Sequence, residues 1–198
     1  MKLPKLNILL LLTIILGGCA FNRQFDNTQK EKMLIEHLDS WQEFNADGII
    51  EMNFQQLSFR KNINLKKSDR NWKITVFDGG IFGMKPEPFL TVSIDSLISI
   101  KMPGTEAQVF DTSHFSGLTY LLDPSLLKQF SKEIVQTGKL IISPNCEIDF
   151  SPNMEIGRIL EKKNNLDCQF EYDNDLKKIR IFRDRNLLAK IEIDKIDR

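Results

Sequence analysis

Apolar and polar residues alternate over most of the chain beyond its N-terminal quarter. Ile50, Met52 and Phe54 alternate with polar neighbours, and the stretch 72–76 repeats the pattern. A two-residue period is typical of strands that bury one face, so these segments are predicted strands. Polar turns such as 68–71 separate them. The other predicted strands lie at 57–65, 89–94, 96–102, 168–172, 179–181 and 189–193, and Ile142 and Ile148 suggest further strands after the second helix.

A helical period precedes the strands, from Thr28 to about Phe44. Thr28 followed by Glu31 has the spacing of a capping box, which favours a helix start there. Apolar residues recur every three or four positions, so one face of this helix is expected to be buried. The residues on that face are Leu34, Leu38 and Trp41.

A second helix is predicted between Asp123 and Gly138. Asp123 suits the N-cap, Pro124 suits the first helical position, and Gly138 suits the C-terminal stop. The stretch 153–163 fits either a short helix or a strand. The apolar face of the second helix consists of Leu127, Phe130 and Ile134.

The order of these elements is helix, strands, helix, strands, and the connections are short. Short connections favour antiparallel hairpins over parallel crossovers. The chain has 14 phenylalanines against two tyrosines, which indicates a large apolar interior. We therefore expect an α+β fold that is mostly β: a curved antiparallel sheet, with the two helices covering its apolar concave face.

The N-terminus predicts export and lipidation. Lys2 and Lys5 precede the apolar run 6–16, and Gly17-Gly18 leads to Cys19. This is the arrangement of a lipoprotein signal whose cysteine is acylated. The run is shorter than the roughly 20 residues that a membrane-spanning helix needs. Acyl chains on Cys19 would give a stable lipid anchor. An uncleaved N-terminal anchor and an ordinary secretory signal are the alternatives.

The chain divides into a signal peptide (1–18), a lipidated tether (19–29) and one domain (30–198). Residue 20 is not aspartate, so an anchor in the outer membrane, facing the periplasm, is expected. Without the signal peptide, 25 basic residues face 27 acidic ones, a net charge of −2. Nucleic-acid binding needs a basic excess and is therefore not expected. The expected state is a monomer.

Once Cys19 is acylated, Cys146 and Cys168 remain. An oxidising envelope compartment permits a disulfide between them, and two free thiols are the alternative. The chain has no Cys-x-x-Cys pair, and His37 and His114 stand apart in sequence. No metal site or cofactor is expected. His37 lies mid-helix, where a surface or hydrogen-bonded histidine is the simpler interpretation.

Catalytic motifs are absent from the sequence. It contains no Gly-x-Ser-x-Gly, His-Glu-x-x-His or P-loop pattern. The cluster 111–114 (Asp-Thr-Ser-His) lacks the spacing of a nucleophile and its base, and a polar loop explains it. No catalytic residue is proposed, and an enzyme is not expected.

The pattern from about residue 30 to 195 resembles the LolA/LolB superfamily of lipoprotein carriers and receptors. The resemblance is closer to the LolB side, because this chain is itself expected to be a lipoprotein. It rests on spacing rather than on invariant motifs. The segments that carry it are 41–50, 57–59, 72–76 with 81–83, 117–119, 124–130 with Gly138, and the closing strands.

The resemblance implies an incomplete β-barrel with a helical lid over a cavity that receives acyl chains. It also implies a membrane-contacting loop, which here would carry Ile81 and Phe82. A β-bulge that folds both residues into the core is the alternative. The cavity residues expected from the predicted strands and helix are Met52, Phe54, Trp72, Ile74, Phe89, Leu127 and Phe130.

Two functions follow as expectations. In the first, the protein binds acyl chains of lipids or lipoproteins and helps lipoproteins reach the outer membrane. Its partners would be the membrane, lipoproteins and a soluble lipoprotein carrier. In the second, the same scaffold has a core filled by its own side chains and serves as a non-catalytic structural or interaction lipoprotein of the envelope.

Overall fold

The computed structural model describes residues 25–54, 57–79, 86–112 and 115–198. Its helices are α1 (Asn27–Ser40), α2 (Ser116–Leu122) and α3 (Ser131–Thr137), with 3-10 segments at Pro124–Phe130 and Lys162–Asn164. Its strands are β1 (Glu43–Phe54), β2 (Leu57–Ser68), β3 (Asn71–Phe77), β4 (Pro88–Ile94), β5 (Leu97–Lys101), β6 (Gln108–Asp111), β7 (Lys139–Ser143), β8 (Cys146–Phe150), β9 (Ile156–Glu161), β10 (Leu166–Asp173), β11 (Asp175–Arg183) and β12 (Asn186–Asp197).

All twelve strands form one sheet in the order β6-β5-β4-β3-β2-β1-β12-β11-β10-β9-β8-β7. Every pairing is antiparallel. The sheet is curved but does not close, and β6 and β7 are its two edges. The predicted fold class, a mostly β fold with an incomplete antiparallel barrel, is confirmed.

Helix α1 begins two residues before the predicted start, with its N-cap at Asp26 and not at Thr28. Asp26 is the N-cap, and its side chain accepts a hydrogen bond from the backbone N–H of Gln29 at 2.8 Å. The Gln29 side chain in turn accepts from the Asp26 backbone N–H at 3.2 Å. The capping box predicted at Thr28 and Glu31 is therefore wrong, because an aspartate two residues earlier makes both bonds.

The second predicted helix is divided into a 3-10 segment and α3. Pro124 opens the 3-10 segment as expected, but the side chain of Asp123 does not cap it. That carboxylate accepts hydrogen bonds from the Arg70 guanidinium and the Ser125 hydroxyl instead. Gly138 ends α3 in the left-handed region at φ 69°, which confirms the predicted stop.

Gly48 lies inside strand β1, where two strand backbones approach closely. Strand β1 already starts at Glu43 and continues through Gly48, with a shift of register between Asp47 and Gly48 against β12. A Cβ at Gly48 would lie 2.1 Å from the backbone oxygen of Glu192. Glycine is required here because two strand backbones approach closely at the bulge.

The helices pack on the concave face of the sheet. Their apolar residues and those of the strands form one buried cluster, with Leu34, Leu38, Leu127 and Ile134 fully buried. The stretch 153–163, which could have been helix or strand, contains β9 and pairs with β8 and β10. Concave-face members of the cluster are Ala46, Ile50, Ile63, Leu65, Val76, Ile148, Ile156, Ile159, Phe170, Ile179, Ile191 and Ile193.

Candidate functional site

The register of the sheet identifies which residues share the concave face. Lys67 of β2 is opposite Trp72, Trp72 is opposite Ile94, Ile94 is opposite Ile98, and Ile98 is opposite Phe110. Antiparallel partners project to the same side of a sheet. Five strands therefore present one continuous row of side chains on the side where the helices lie.

A second row runs beside the first, one step further along each strand. It contains Leu65, Ile74, Val92, Ile100 and Gln108. In both rows burial decreases toward the β6 edge. Leu65 is 1% exposed, whereas Phe110 at the edge is 47% exposed. We call the concave side of β4, β5 and β6 the open half, and the concave side of β1, β2 and β7–β12 the covered half.

The convex face is polar where it lies behind the covered half. Charges of alternating sign follow one another across β2, β1, β12, β11 and β10. Their ion pairs include Arg60–Glu51 at 3.0 Å and Lys190–Glu192 at 2.8 Å. Such a ladder belongs on a solvated surface. The residues of the ladder are Arg60, Glu51, Lys190, Glu192, Lys178, Glu171 and Arg180.

A cavity lies where the open half meets α2 and the 3-10 segment Pro124–Phe130, which we call the helical segment. Its volume is about 420 Å³. This volume falls within the 300–1,000 Å³ that is usual for small-molecule sites. One wall comes from the β4–β5 turn and the end of β6, and the other from α2 and the following 3-10 segment. The lining residues are Arg70, Asp95, Ser96, Thr112, Thr119, Leu122, Asp123 and Leu126.

Lys67 joins the sheet to the helical segment beneath this cavity. Its side chain is fully buried, and its Nζ donates to the Leu122 carbonyl at 2.9 Å and to the Asp69 carbonyl. Burial lowers the pKa of Lys67, and the nearby Asp123 and Asp69 carboxylates oppose that effect. Arg70 and Asp123 form a further contact between the same two elements, with Nε to Oδ2 at 2.9 Å.

The predicted cavity residues lie in three environments. Trp72 and Leu127 are buried, at 8% and 0% exposure, within the core. Met52, Ile74, Phe89 and Phe130 are half-buried and pack against it. Phe89 lies at a register shift of β4, and its ring meets that of Phe59 edge-on at 6.0 Å. The side chain of Phe54 lies outside the described part of the chain.

Cys146 and Cys168 are free thiols, so the possible disulfide between them is not formed. They lie on β8 and β10, and β9 runs between those strands. Two strand spacings are roughly 9–10 Å, and a disulfide needs Cα atoms closer than about 7 Å. Burial raises the pKa of each thiol to about 12, so neither is a ready nucleophile.

His37 is a hydrogen-bonded histidine, as the sequence indicated. Its Nε2 accepts from the Ile156 backbone N–H at 3.0 Å, and its ring meets Tyr172 edge-on at 5.2 Å. Burial, with the nearby Arg198, lowers the pKa of His37 to about 4. Within the described ranges, no three His, Cys, Asp or Glu side chains gather as metal ligands would.

Several predicted features lie outside the described residues. They are the acylation site Cys19, the loop residues Ile81 and Phe82, and His114 of the polar cluster. No helix in the described part of the chain has the length and apolar content to span a bilayer.

The sequence reading missed the open half as a candidate site. Ile98, Ile100 and Phe110 were not selected, although Ile98 and Ile100 alternate with Ser99 in the predicted strand 96–102. The alternation of Ile98 and Ile100 with Ser99 could have indicated an apolar face on this strand. Lys67 was also missed, because one lysine in a strand gives no sign of burial.

Comparisons with known proteins give structural similarities only. No family model and no curated protein matches the chain. A LolA superfamily protein from Nitrosomonas europaea is similar at 7% identity over 85% of this chain and 93% of that one, with a TM-score of 0.45. A DUF1329 family protein from Desulfovibrio piger is similar at 8% identity over 85% and 91%, with a TM-score of 0.39. A chain of the Pseudomonas aeruginosa MucA/MucB complex is similar at 8% identity over 85% of this chain and 56% of that one, with a TM-score of 0.35. This chain therefore spans about half the length of that one.

Proposed function

We propose that this protein is a lipid-anchored envelope protein that binds acyl chains on the open half of its concave sheet. The ligands are lipids or the acyl groups of lipoproteins, and the protein's role is to help lipoproteins reach the outer membrane. The protein itself is anchored in the outer membrane and faces the periplasm. The sequence supports the anchor through Cys19, and the resemblance to the LolB side of its superfamily supports the role. Catalysis forms no part of this proposal.

The observation that carries the proposal is the half-buried apolar surface on β4–β6. Apolar side chains occupy the first row from Ile94 to Phe110, the edge residue Phe110 is 47% exposed, and a cavity of about 420 Å³ lies beside them. An acyl chain that covers several hundred Å² of apolar surface gains on the order of 10 kcal/mol before ordering costs. Such binding requires shape and apolar surface but no reactive group.

A second function, that of a structural or interaction lipoprotein, is supported by a different observation. Leu127 of the 3-10 segment and Ile134 of α3 are fully buried against the sheet, so the covered half is filled by the protein's own side chains. If the open half were equally occupied in the cell by a partner protein, the scaffold would serve assembly rather than lipid binding.

Site-specific photo-crosslinking in cells distinguishes these functions. A photoreactive phenylalanine analogue replaces Phe110 in the full chain, and Val109 serves as the matched control. The two residues are neighbours on β6, are 47% and 56% exposed, and project to opposite faces. Acyl binding predicts lipid adducts at 110 and few at 109. Protein adducts at 110, or equal lipid capture at both positions, would contradict it.

A further inference from the structure

Another cavity, of about 600 Å³, lies on the convex face of the sheet. Asp167 and Gln169 of β10 line it, and they project to the same side as Glu171 of the charged ladder, because alternate residues of a strand share a face. Leu160 on β9 and Phe182 on β11 are both opposite Asp167 and also line the cavity. The floor of the cavity therefore has a half-buried apolar side chain on each side of a carboxylate.

Two connections at the same end of the sheet form the wall of this cavity. The β9–β10 connection contributes Lys162 and Asn165, and the β11–β12 turn contributes Asp184 and Arg185. The Asp184 N–H donates to the Asn165 carbonyl at 3.1 Å, and the Asn165 amide donates to the Asp184 carboxylate at 2.7 Å. The two connections thus hold each other in place, and each brings one cation to the cavity.

The carboxylates that line the cavity are already engaged. The two oxygens of Asp167 accept hydrogen bonds from the Arg158 guanidinium, each at 2.8 Å. Asp184 accepts from the amide of the neighbouring connection. Arg185, in contrast, has no ion pair or side-chain hydrogen bond within the described part of the chain. Its guanidinium is therefore available to an anion from solution.

Lys162 is the second available cation. Its Nζ lies 3.7 Å from Glu147 Oε2, which is longer than a hydrogen bond. The Glu147 carboxylate has a closer partner in Lys139, at 2.8 Å. The wall of the cavity thus carries two cations whose charge is little compensated, beside an apolar part of the floor.

The backbone of Arg185 is an independent sign of a role in binding. Asp184 and Arg185 form a two-residue turn between Arg183 and Asn186, with φ of 51° and 67°. Glycine is favoured at the second place of such a turn, and a side chain there is strained. Of the other described non-glycine residues with positive φ, four are Asp or Asn, which tolerate it, and Met154 is held by burial. The exposed Arg185 has neither explanation.

We propose that this cavity binds a phosphate ester of an apolar group. The phosphate lies between the Arg185 guanidinium and the Lys162 ammonium group, and the apolar group packs on Leu160 and Phe182. A guanidinium donates two parallel hydrogen bonds to phosphate, and a lysine adds a compact charge. A phosphate monoester carries a charge of about −1.5 to −2 at pH 7, which two cations match.

The same chemistry is offered by a free organic phosphate and by the headgroup of an anionic phospholipid. The site goes beyond the proposed binding of acyl chains, because it lies on the opposite face of the sheet. Each of the two proposals can therefore fail without the other.

The test is a titration of the full chain, held in phosphatidylcholine nanodiscs, with phenyl phosphate. The backbone amide signals of residues 184–186 in a ¹H–¹⁵N spectrum report binding at this turn and give a Kd. Arg185→Gln is compared with Arg183→Gln, which removes the same charge from the same hairpin but outside the residues that line the cavity. Inorganic phosphate and benzyl alcohol, added separately, represent the two parts of the ligand.

We expect Arg185→Gln to weaken the binding of phenyl phosphate about tenfold or more, because a charge-assisted hydrogen bond is lost. Arg183→Gln should bind nearly as the wild-type protein does, and each partial ligand should bind more weakly than phenyl phosphate. Equal losses in the two variants would show attraction by net charge alone and would overturn the site. Equal affinity for phenyl phosphate and inorganic phosphate would overturn the role of Leu160 and Phe182.

Arg185→Gly separates binding from folding. Glycine adopts the positive φ of this turn without strain, so the thermal midpoint should stay the same or rise while binding is lost. A lower midpoint would show that the arginine serves the fold and would contradict its assignment to a ligand.

A second nanodisc composition distinguishes the two sources of the phosphate. Phosphatidic acid is added to the phosphatidylcholine, and the titrations of Arg185→Gln and Arg183→Gln are repeated. If lipid headgroups occupy the site, the difference in Kd between the two variants should disappear. If a free phosphate ester is the ligand, the difference should remain. No binding of phenyl phosphate to the wild-type protein in phosphatidylcholine nanodiscs would overturn the inference.

Discussion

The covered and open halves of the sheet belong to one continuous β-structure but have different surroundings. On β8, Ile148 is fully buried beneath the helices, whereas on β6, Phe110 is 47% exposed on the same concave side. The strands on both sides are paired in the same antiparallel way. The difference in exposure therefore comes from the helices that cover one part of the sheet. One sheet can thus contribute both to a stable core and to an apolar surface that is available to a ligand.

The largest expected contrast is between two identical substitutions. Ile148→Ala removes a fully buried side chain from the covered half and should lower the free energy of unfolding by about 2–5 kcal/mol. Ile98→Ala makes the same change on the open half, where partial exposure should limit the loss to about 1 kcal/mol. Urea unfolding of both variants measures the contrast. Equal losses would mean that the open half is ordinary core and would favour the structural function.

A second prediction concerns the packing of helix α2 against the covered half. Gly117 packs so closely against β9 that a Cβ there would lie 2.6 Å from Ile159 Cγ2. Its backbone N–H also donates to the buried Glu161 carboxylate. Gly117→Ala should therefore destabilise the fold by about 1–3 kcal/mol, because the helix must shift away from the sheet.

Gly79→Ala is the matched control for this prediction, since a Cβ at Gly79 would have no neighbour within 4 Å among the residues that the structure describes. Thermal unfolding should show a lower midpoint for Gly117→Ala and a nearly unchanged one for Gly79→Ala. A stable Gly117→Ala protein would show that α2 is not tightly docked, which would weaken the distinction between the two halves.

A third prediction uses pH to test the burial of His37 in the covered half. The pKa of His37 is lowered from 6.5 to about 4 in the folded protein, mainly by burial. The unfolded chain therefore binds more protons between these values, and stability must fall as pH decreases from about 6.5 to 4. The expected loss from this residue is on the order of 2 kcal/mol.

His37→Gln removes the titrating group and should flatten this part of the stability profile. Urea unfolding between pH 7 and 4 compares the variant with the wild-type protein. If both profiles have the same slope between pH 6.5 and 4, His37 is not buried against Ile156 and Tyr172 as described.

The smallest effect is expected on the convex face. Arg60 and Glu51 pair at 3.0 Å with side chains that are 61% and 39% exposed. Exposed pairs contribute about 0–1 kcal/mol and are screened by salt. Arg60→Ala should change the unfolding midpoint little at low salt and less at high salt. A large loss would show that the convex face, too, is part of a buried interface.

Much of the fold could be predicted from the sequence because period and turn chemistry are local. The alternation at 72–76 and the turn at 68–71 depend only on neighbouring residues, and both are found in the structure. The helix start at Thr28 was wrong by two residues, because several polar residues there could cap a helix and only tertiary context selects Asp26. The side chain of Asp123 accepts from Arg70, which is distant in sequence, and does not cap the second helix.

The candidate site was harder to predict, because exposure depends on which strands the helices cover. Ile148 and Ile98 both lie in predicted strands and are both followed by a polar residue, yet one is fully buried and the other is not. The burial of Lys67 is likewise a property of packing. Trp72 and Ile74 were selected from their alternation, which identified their face of the strand but not their surroundings.

Amide hydrogen exchange with and without ligand tests the central claim most directly. The full chain in ether-lipid nanodiscs is compared before and after addition of a monoacylglycerol. If acyl chains bind the open half, exchange should slow in β4–β6 and stay unchanged in β7–β9, which the helices already protect. No slowing in β4–β6, or equal slowing in both halves, would contradict the account.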